Sequence, residues 1–183
     1  ETLMRRILLV GATIFCASRG SAQTTNYILS LGVGGGASIP TGNGGNTVKE
    51  GFNAQTYALV QLPGFLALRF NFGYQKFNAA QQIYSGVGGL QINLLHGPVR
   101  PYLTAGVGAF DLRGLTDSSG ASMASKINFG IDAGAGLAIS VGRVSAFAEG
   151  RVQNVYTRNG GWIQGAKQIN VVPVTFGLAV GLF

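Results

Sequence analysis

Ile127-Asn128-Phe129-Gly130-Ile131-Asp132-Ala133-Gly134-Ala135-Gly136-Leu137-Ala138-Ile139-Ser140-Val141 alternates from end to end. Its odd-numbered members are Ile, Phe, Ala, Leu and Val. Its even-numbered members are Asn, Gly, Asp, Ala and Ser. A helix would wind both sets around its axis, whereas a strand sends successive side chains to opposite faces. The stretch therefore predicts a long strand with one apolar face and one small, polar face.

The same two-residue period runs through the rest of the chain after Gln23. Strand one is expected over Tyr27 to Ala37, with Tyr27, Leu29, Leu31 and Val33 on its apolar face. A second, less regular strand covers Phe52 to Leu62. In Phe65 to Gln75, Leu66, Leu68, Phe70, Phe72 and Tyr74 oppose Ala67, Arg69, Asn71, Gly73 and Gln75. Further strands are expected over Tyr84 to Leu95, Pro101 to Leu112, Arg143 to Tyr156 and Ile169 to Phe183. With the Ile127 to Val141 segment the total is eight, an even number suited to a closed antiparallel barrel. The links around Gly44, Ala79, Ser119 and Gly160 are long and polar. Those around Pro63, Gly97 and Gly142 are short. This alternation predicts an up-and-down barrel with long loops at one end, tight turns and both termini at the other.

Composition sets the polarity of that barrel. Of 183 residues, 46% are hydrophobic and only 10% charged, and 30 are glycine. Soluble domains carry about a quarter charged residues. Beyond the N-terminus no apolar run approaches the roughly 20 residues of a membrane helix. The less apolar strand faces carry Gly, Ala, Ser and Asn rather than the Lys and Glu of a solvated surface. Eight strands enclose room only for side chains, so these faces are expected inside and the apolar faces outside, against lipid. Closure is then required, because hydrocarbon leaves no partner for an open sheet edge. Tyr27, Phe72, Tyr74, Tyr84, Tyr102 and Tyr156 are expected in interfacial girdles near the strand ends. Arg69, Asp132, Glu149 and Arg151 fall on inward faces and are expected to form a polar cluster plugging the lumen, since isolated charges there would be costly.

Met4-Arg5-Arg6, the apolar stretch Ile7 to Ala17 and the small residues Gly20-Ser21-Ala22 have the layout of a secretory signal peptide. Residues 1–22 are expected to be removed by a cut after Ala22, leaving a barrel domain over 23–183. Glu1-Thr2-Leu3 precede Met4 and are expected to lie outside the working signal. Cys16 lies in this segment, preceded by Phe15 where a lipoprotein signal needs a small residue. It is the only cysteine, so the mature barrel is expected to hold neither thiol nor disulfide.

Arg100-Pro101-Tyr102-Leu103-Thr104-Ala105-Gly106-Val107-Gly108, Phe129-Gly130-Ile131-Asp132-Ala133-Gly134-Ala135-Gly136-Leu137, Phe147-Ala148-Glu149-Gly150-Arg151 and a closing strand ending at Phe183 occur in this order. Together they resemble the outer-membrane β-barrel domain family that includes the small OmpA/OmpX-type barrels. The resemblance covers essentially the chain after the signal and is strongest from Arg100 onward. It implies an all-β, eight-stranded, antiparallel, up-and-down transmembrane β-barrel in the outer membrane. It also implies that Phe183 is an assembly signal read by the barrel-assembly machinery, with periplasmic chaperones as transient partners and outer-membrane lipids as permanent ones. Related signals place bulky residues two and four positions before the terminal Phe, where this chain has Gly181 and Ala179. Either a bulge shifts the register, or the Phe is read alone. The fold does not fix an activity, since it hosts structural proteins, adhesins, small-solute pores and some enzymes.

Few residues offer chemistry. His96, the sole histidine, lies in the short Leu95-His96-Gly97-Pro98 link. An envelope lipid-modifying enzyme would need it near a serine at the opposite end. One histidine and no mature cysteine argue against zinc, and Asp111 and Asp117 lack calcium-loop spacing. Gly32-Val33-Gly34-Gly35-Gly36 lacks the Lys-Ser/Thr ending of a phosphate loop. The net charge of +7 is scattered, without the basic stripe that nucleic acid requires. No cofactor, metal or nucleic acid is expected. The expectation is a monomeric integral outer-membrane protein with a structural or surface-interaction role and no catalysis, its contact surfaces being the loops Ser38 to Gly51, Asp117 to Ser125 and Arg158 to Lys167. The alternatives are a narrow porin-like channel for small solutes, an envelope lipid-modifying enzyme and a soluble periplasmic barrel.

Overall fold

The computed structural model describes residues 27–41, 49–77, 81–114, 126–157 and 168–182. The segment 1–22 expected to be a signal peptide, most of the four long connections and Phe183 lie outside them. The described residues form eight strands: β1 (Leu29–Thr41), β2 (Gly51–Gln61), β3 (Leu66–Lys76), β4 (Gln82–Asn93), β5 (Val99–Arg113), β6 (Lys126–Val141), β7 (Val144–Tyr156) and β8 (Gln168–Gly181). Each pairs antiparallel with its sequence neighbour, and β1 pairs with β8, from Ser30 opposite Gly181 to Thr41 opposite Asn170. The sheet is closed, so no edge presents unpaired backbone groups.

Three short connections fix the hairpin registers at one end. Each carries a glycine with positive φ, Gly64 (83°), Gly97 (138°) and Gly142 (61°), a region that side chains with a Cβ rarely adopt. At the β6–β7 hairpin only Gly142 and Arg143 separate Val141 from its partner Val144. The long connections all leave from the other end.

The pleat sorts side chains as the alternation requires. Along β6, Ile127, Phe129, Ile131, Leu137, Ile139 and Val141 are exposed on the outer wall, while Asn128, Gly130 and Asp132 are buried inside. Leu66, Leu68, Phe70 and Phe72 on β3 and Phe176, Leu178 and Val180 on β8 continue the outer belt. In a water-soluble barrel these side chains would be the core. Here the buried set includes Asn53, Arg69, Asn71, Gln75, Gln91, Asp132, Glu149, Arg151 and Gln153.

Some sequence expectations are corrected. Tyr27 precedes β1, which begins at Leu29 and runs on through Pro40 to Thr41. Ser38 is therefore a buried strand residue and not part of a loop. Tyr102 is not a girdle residue: it shares the parity of Thr104 and is buried in the lumen, only 3% exposed. Nor is the interior uniformly small. Toward the long loops it is capped by an apolar cluster of Phe77, Ile83, Val87, Phe110, Leu112, Val155, Ile169 and Val171. Below the charges, Tyr57, Phe147 and Ala179 pack together, the two rings edge to face at 5.4 Å. Glycine makes room for such bulk. A Cβ on Gly32 would stand 2.4 Å from the Tyr57 ring, and one on Gly136 would stand 2.3 Å from Tyr102 Cζ.

Candidate functional site

The lumen brings together the four charged residues that alternation places inside. Arg69 comes from β3, Asp132 from β6, and Glu149 and Arg151 from β7. The Arg69 guanidinium donates Nη1 to Glu149 Oε2 at 2.5 Å and Nη2 to Glu149 Oε1 at 3.1 Å. Such a fork-to-fork pairing fixes orientation as well as charge. Arg151 donates Nε to Asp132 Oδ2 at 2.7 Å, and its Nη2 pairs with the same oxygen. The pairs are coupled: Arg151 Nη1 lies 3.7 Å from Glu149 Oε1, and Gln55 joins them by donating to Glu149 and accepting from Arg151. Two arginines thus face two carboxylates, and the cluster is neutral.

Amide side chains that the sequence reading did not single out extend this core both ways. Toward the loops, Gln153 donates to Asp132, Gln75 donates to Gln153 at 2.6 Å, and Ser38 donates to Gln75 at 3.1 Å. Toward the turns, Arg69 donates to Gln91, Gln91 to Asn93 at 2.8 Å, and Asn93 to Gln61 at 3.1 Å. All share the inward parity of the charged residues, which is the signal that could have found them. Arg69 also lies over the Tyr57 ring, its Cζ 4.1 Å from the centroid, and 5.8 Å from that of Tyr102. Desolvated arginine gains from such a ring face.

This arrangement fills space. The gap among Asn53, Gln75, Arg151 and Gln153 is a void of about 10 Å³, about the size of one water. No nucleophile–base pair stands in the network. His96 lies in the β4–β5 turn, its ring 4.4 Å from Phe65, at the end opposite the long loops. Among the described residues no group of three or more His, Cys, Asp or Glu is placed to hold a metal ion.

No family model matches the sequence. No curated protein matches it either. Solved structures do match. Neisserial surface protein A (NspA) superposes with a TM-score of 0.68 at 17% identity, covering 84% of this chain and 97% of its own. The N-terminal β-barrel domain of Pseudomonas aeruginosa OprF gives 0.55 at 14% identity, over 82% of this chain and 96% of that domain. The outer membrane enzyme PagL gives 0.52 at 17% identity, over 84% and 99%. At these identities the likeness is one of fold: the chain has the closed eight-stranded architecture of small outer-membrane barrels. One of the three is an enzyme, so the architecture by itself assigns no activity.

Proposed function

We propose that this chain is an integral outer-membrane barrel, exported through a cleaved signal peptide over residues 1–22, whose role is structural or surface-interacting rather than catalytic. The carrying observation is the inverted polarity of the barrel. Its outer wall is a belt of exposed Leu, Ile, Val and Phe with Ala and Gly between them, and its lumen is occupied by the neutral Arg69–Glu149–Arg151–Asp132 network. The belt suits a hydrocarbon surrounding. The network spans the lumen at mid-height and is backed by the apolar cap above and Tyr57, Tyr102 and Phe147 below. A barrel filled in this way offers its loop end, from which the four long connections leave, as the surface for contact. The turn position of His96 supports a non-catalytic reading, since a histidine acting on lipid at the loop end would have to stand there.

Planar-bilayer recording on the purified, refolded chain tests the proposal. The expected trace is flat. Reproducible conductance steps would assign a small-solute pore instead.

A further inference from the structure

The inner face of β1 is bare where the barrel closes. Gly32, Gly34 and Gly36 take the inward parity, opposite Ala179, Gly177 and Thr175 of β8. A glycine-rich strand fixes its register poorly. A slip by two residues keeps every side chain on its own face and exchanges one inward glycine for another. The outward Leu31, Val33 and Ala37 are exposed, so no buried packing separates the alternatives on that side. β2 supplies what β1 lacks. Asn53, opposite Gly36, is buried and extends across β1 to β8. Its Nδ2 donates to Ala37 O at 2.7 Å and to Val174 O at 3.2 Å, one carbonyl from each strand of the seam. Its Oδ1 accepts from Thr175 Oγ1 at 2.9 Å. Gly36 keeps the path open, since a Cβ there would strike the Val174 carbonyl oxygen. Tyr57 crosses Gly32 in the same way and packs against Ala179 and Phe147.

Among the described residues of β8, Thr175 is the only inward-facing one with a polar side chain. Shifting β8 by two residues along β1 would put Pro173 or Gly177 across from Gly36. Neither offers a donor to Asn53 Oδ1. That oxygen would be left buried and unpaired, at the full cost of its lost hydration. We infer that Asn53 and Thr175 form a clasp that selects the β1–β8 register, so that β2, reaching over β1, decides how the barrel closes. The clasp acts on closure of the wall and does not depend on the role proposed above.

Cross-strand amide NOEs between β1 and β8, measured on the full, refolded chain in detergent micelles, read the register. The unaltered chain should give one set, with Ala37 opposite Val174. Asn53→Leu and Thr175→Val keep the side-chain shape and remove its polar atoms. Each should add a second set displaced by two residues, with Ala37 opposite Val172 or Phe176. Thr175→Ser retains the hydroxyl and should give the native set alone. Asn93→Leu removes a buried carboxamide that bonds Gln91 and Gln61 away from the seam, and it should also keep the single register. If Asn53→Leu fails to refold, the milder Thr175→Val decides. A native register alone in a refolded Asn53→Leu or in Thr175→Val overturns the clasp. A displaced set in the unaltered chain, in Thr175→Ser or in Asn93→Leu overturns it too, since slippage would then not depend on this pair.

Discussion

Arg69 and Glu149, 80 residues apart in sequence, meet inside the barrel with two guanidinium nitrogens on two carboxylate oxygens. Both side chains are at most 1% exposed. Neither charge reaches water, so each depends on the other and on Gln55, Asn71, Gln91 and Arg151 around them.

Glu149→Ala should therefore cost stability out of proportion to the atoms removed. It leaves Arg69 charged, buried and without its main partner, a situation that costs about 3–5 kcal/mol. The double change Arg69→Met with Glu149→Leu removes both charges and should recover most of that loss. Urea unfolding of the barrel in vesicles measures this. An unchanged midpoint for Glu149→Ala would mean that the pair does not hold the lumen together.

Glycines beside the buried tyrosines should be intolerant of a single methyl group. Gly136→Ala drives a Cβ into the Tyr102 ring, and Gly32→Ala drives one into the Tyr57 ring. Overpacking of this kind costs about 1–3 kcal/mol. Gly150, on the outer face of β7, has nothing within 4 Å of an added Cβ. Gly150→Ala should leave the heat-modified gel transition in place, while the other two lower its temperature. Equal behaviour of all three would contradict the placement of the rings.

Charge on the outer belt should be penalised by depth. Leu103 projects outward from β5 and is 45% exposed. In a lipid bilayer Leu103→Arg should cost about 2–4 kcal/mol near the midplane. On a water-facing wall the same change would be close to neutral. Refolding yield into vesicles, compared with that of Leu103→Ile, distinguishes these outcomes.

Alternation made most of the architecture readable. Eight segments with period two, separated by alternating long and short links, leave little besides a closed up-and-down barrel. The inward placement of Arg69, Asp132, Glu149 and Arg151 followed from parity alone. Their partners did not. Which arginine meets which carboxylate depends on strand stagger around the closed barrel, which no single segment records. The choice of Glu149 rather than Asp132 for Arg69 is a property of the closure. Tyr102 stands near a strand end, where aromatic girdles sit, but it shares the inward parity of Thr104, and parity decides its face. The apolar cap of Phe77, Ile83 and Phe110 was hidden for a related reason. Near the loop end large apolar residues stand on both faces, and alternation loses its contrast.

The central claim is the direction in which the side chains point, and nitroxide accessibility along β6 tests it most directly. Labels placed singly at Phe129, Ile131, Ala133, Ala135, Leu137 and Ile139 and, on the inward face, at Ala138 and Ser140, in a chain lacking Cys16 and reconstituted in vesicles, would be exposed to lipid-soluble oxygen and to a water-soluble nickel complex. Oxygen collisions should be high at the six outward positions and low at Ala138 and Ser140. A profile with the opposite phase, or none, would contradict the account.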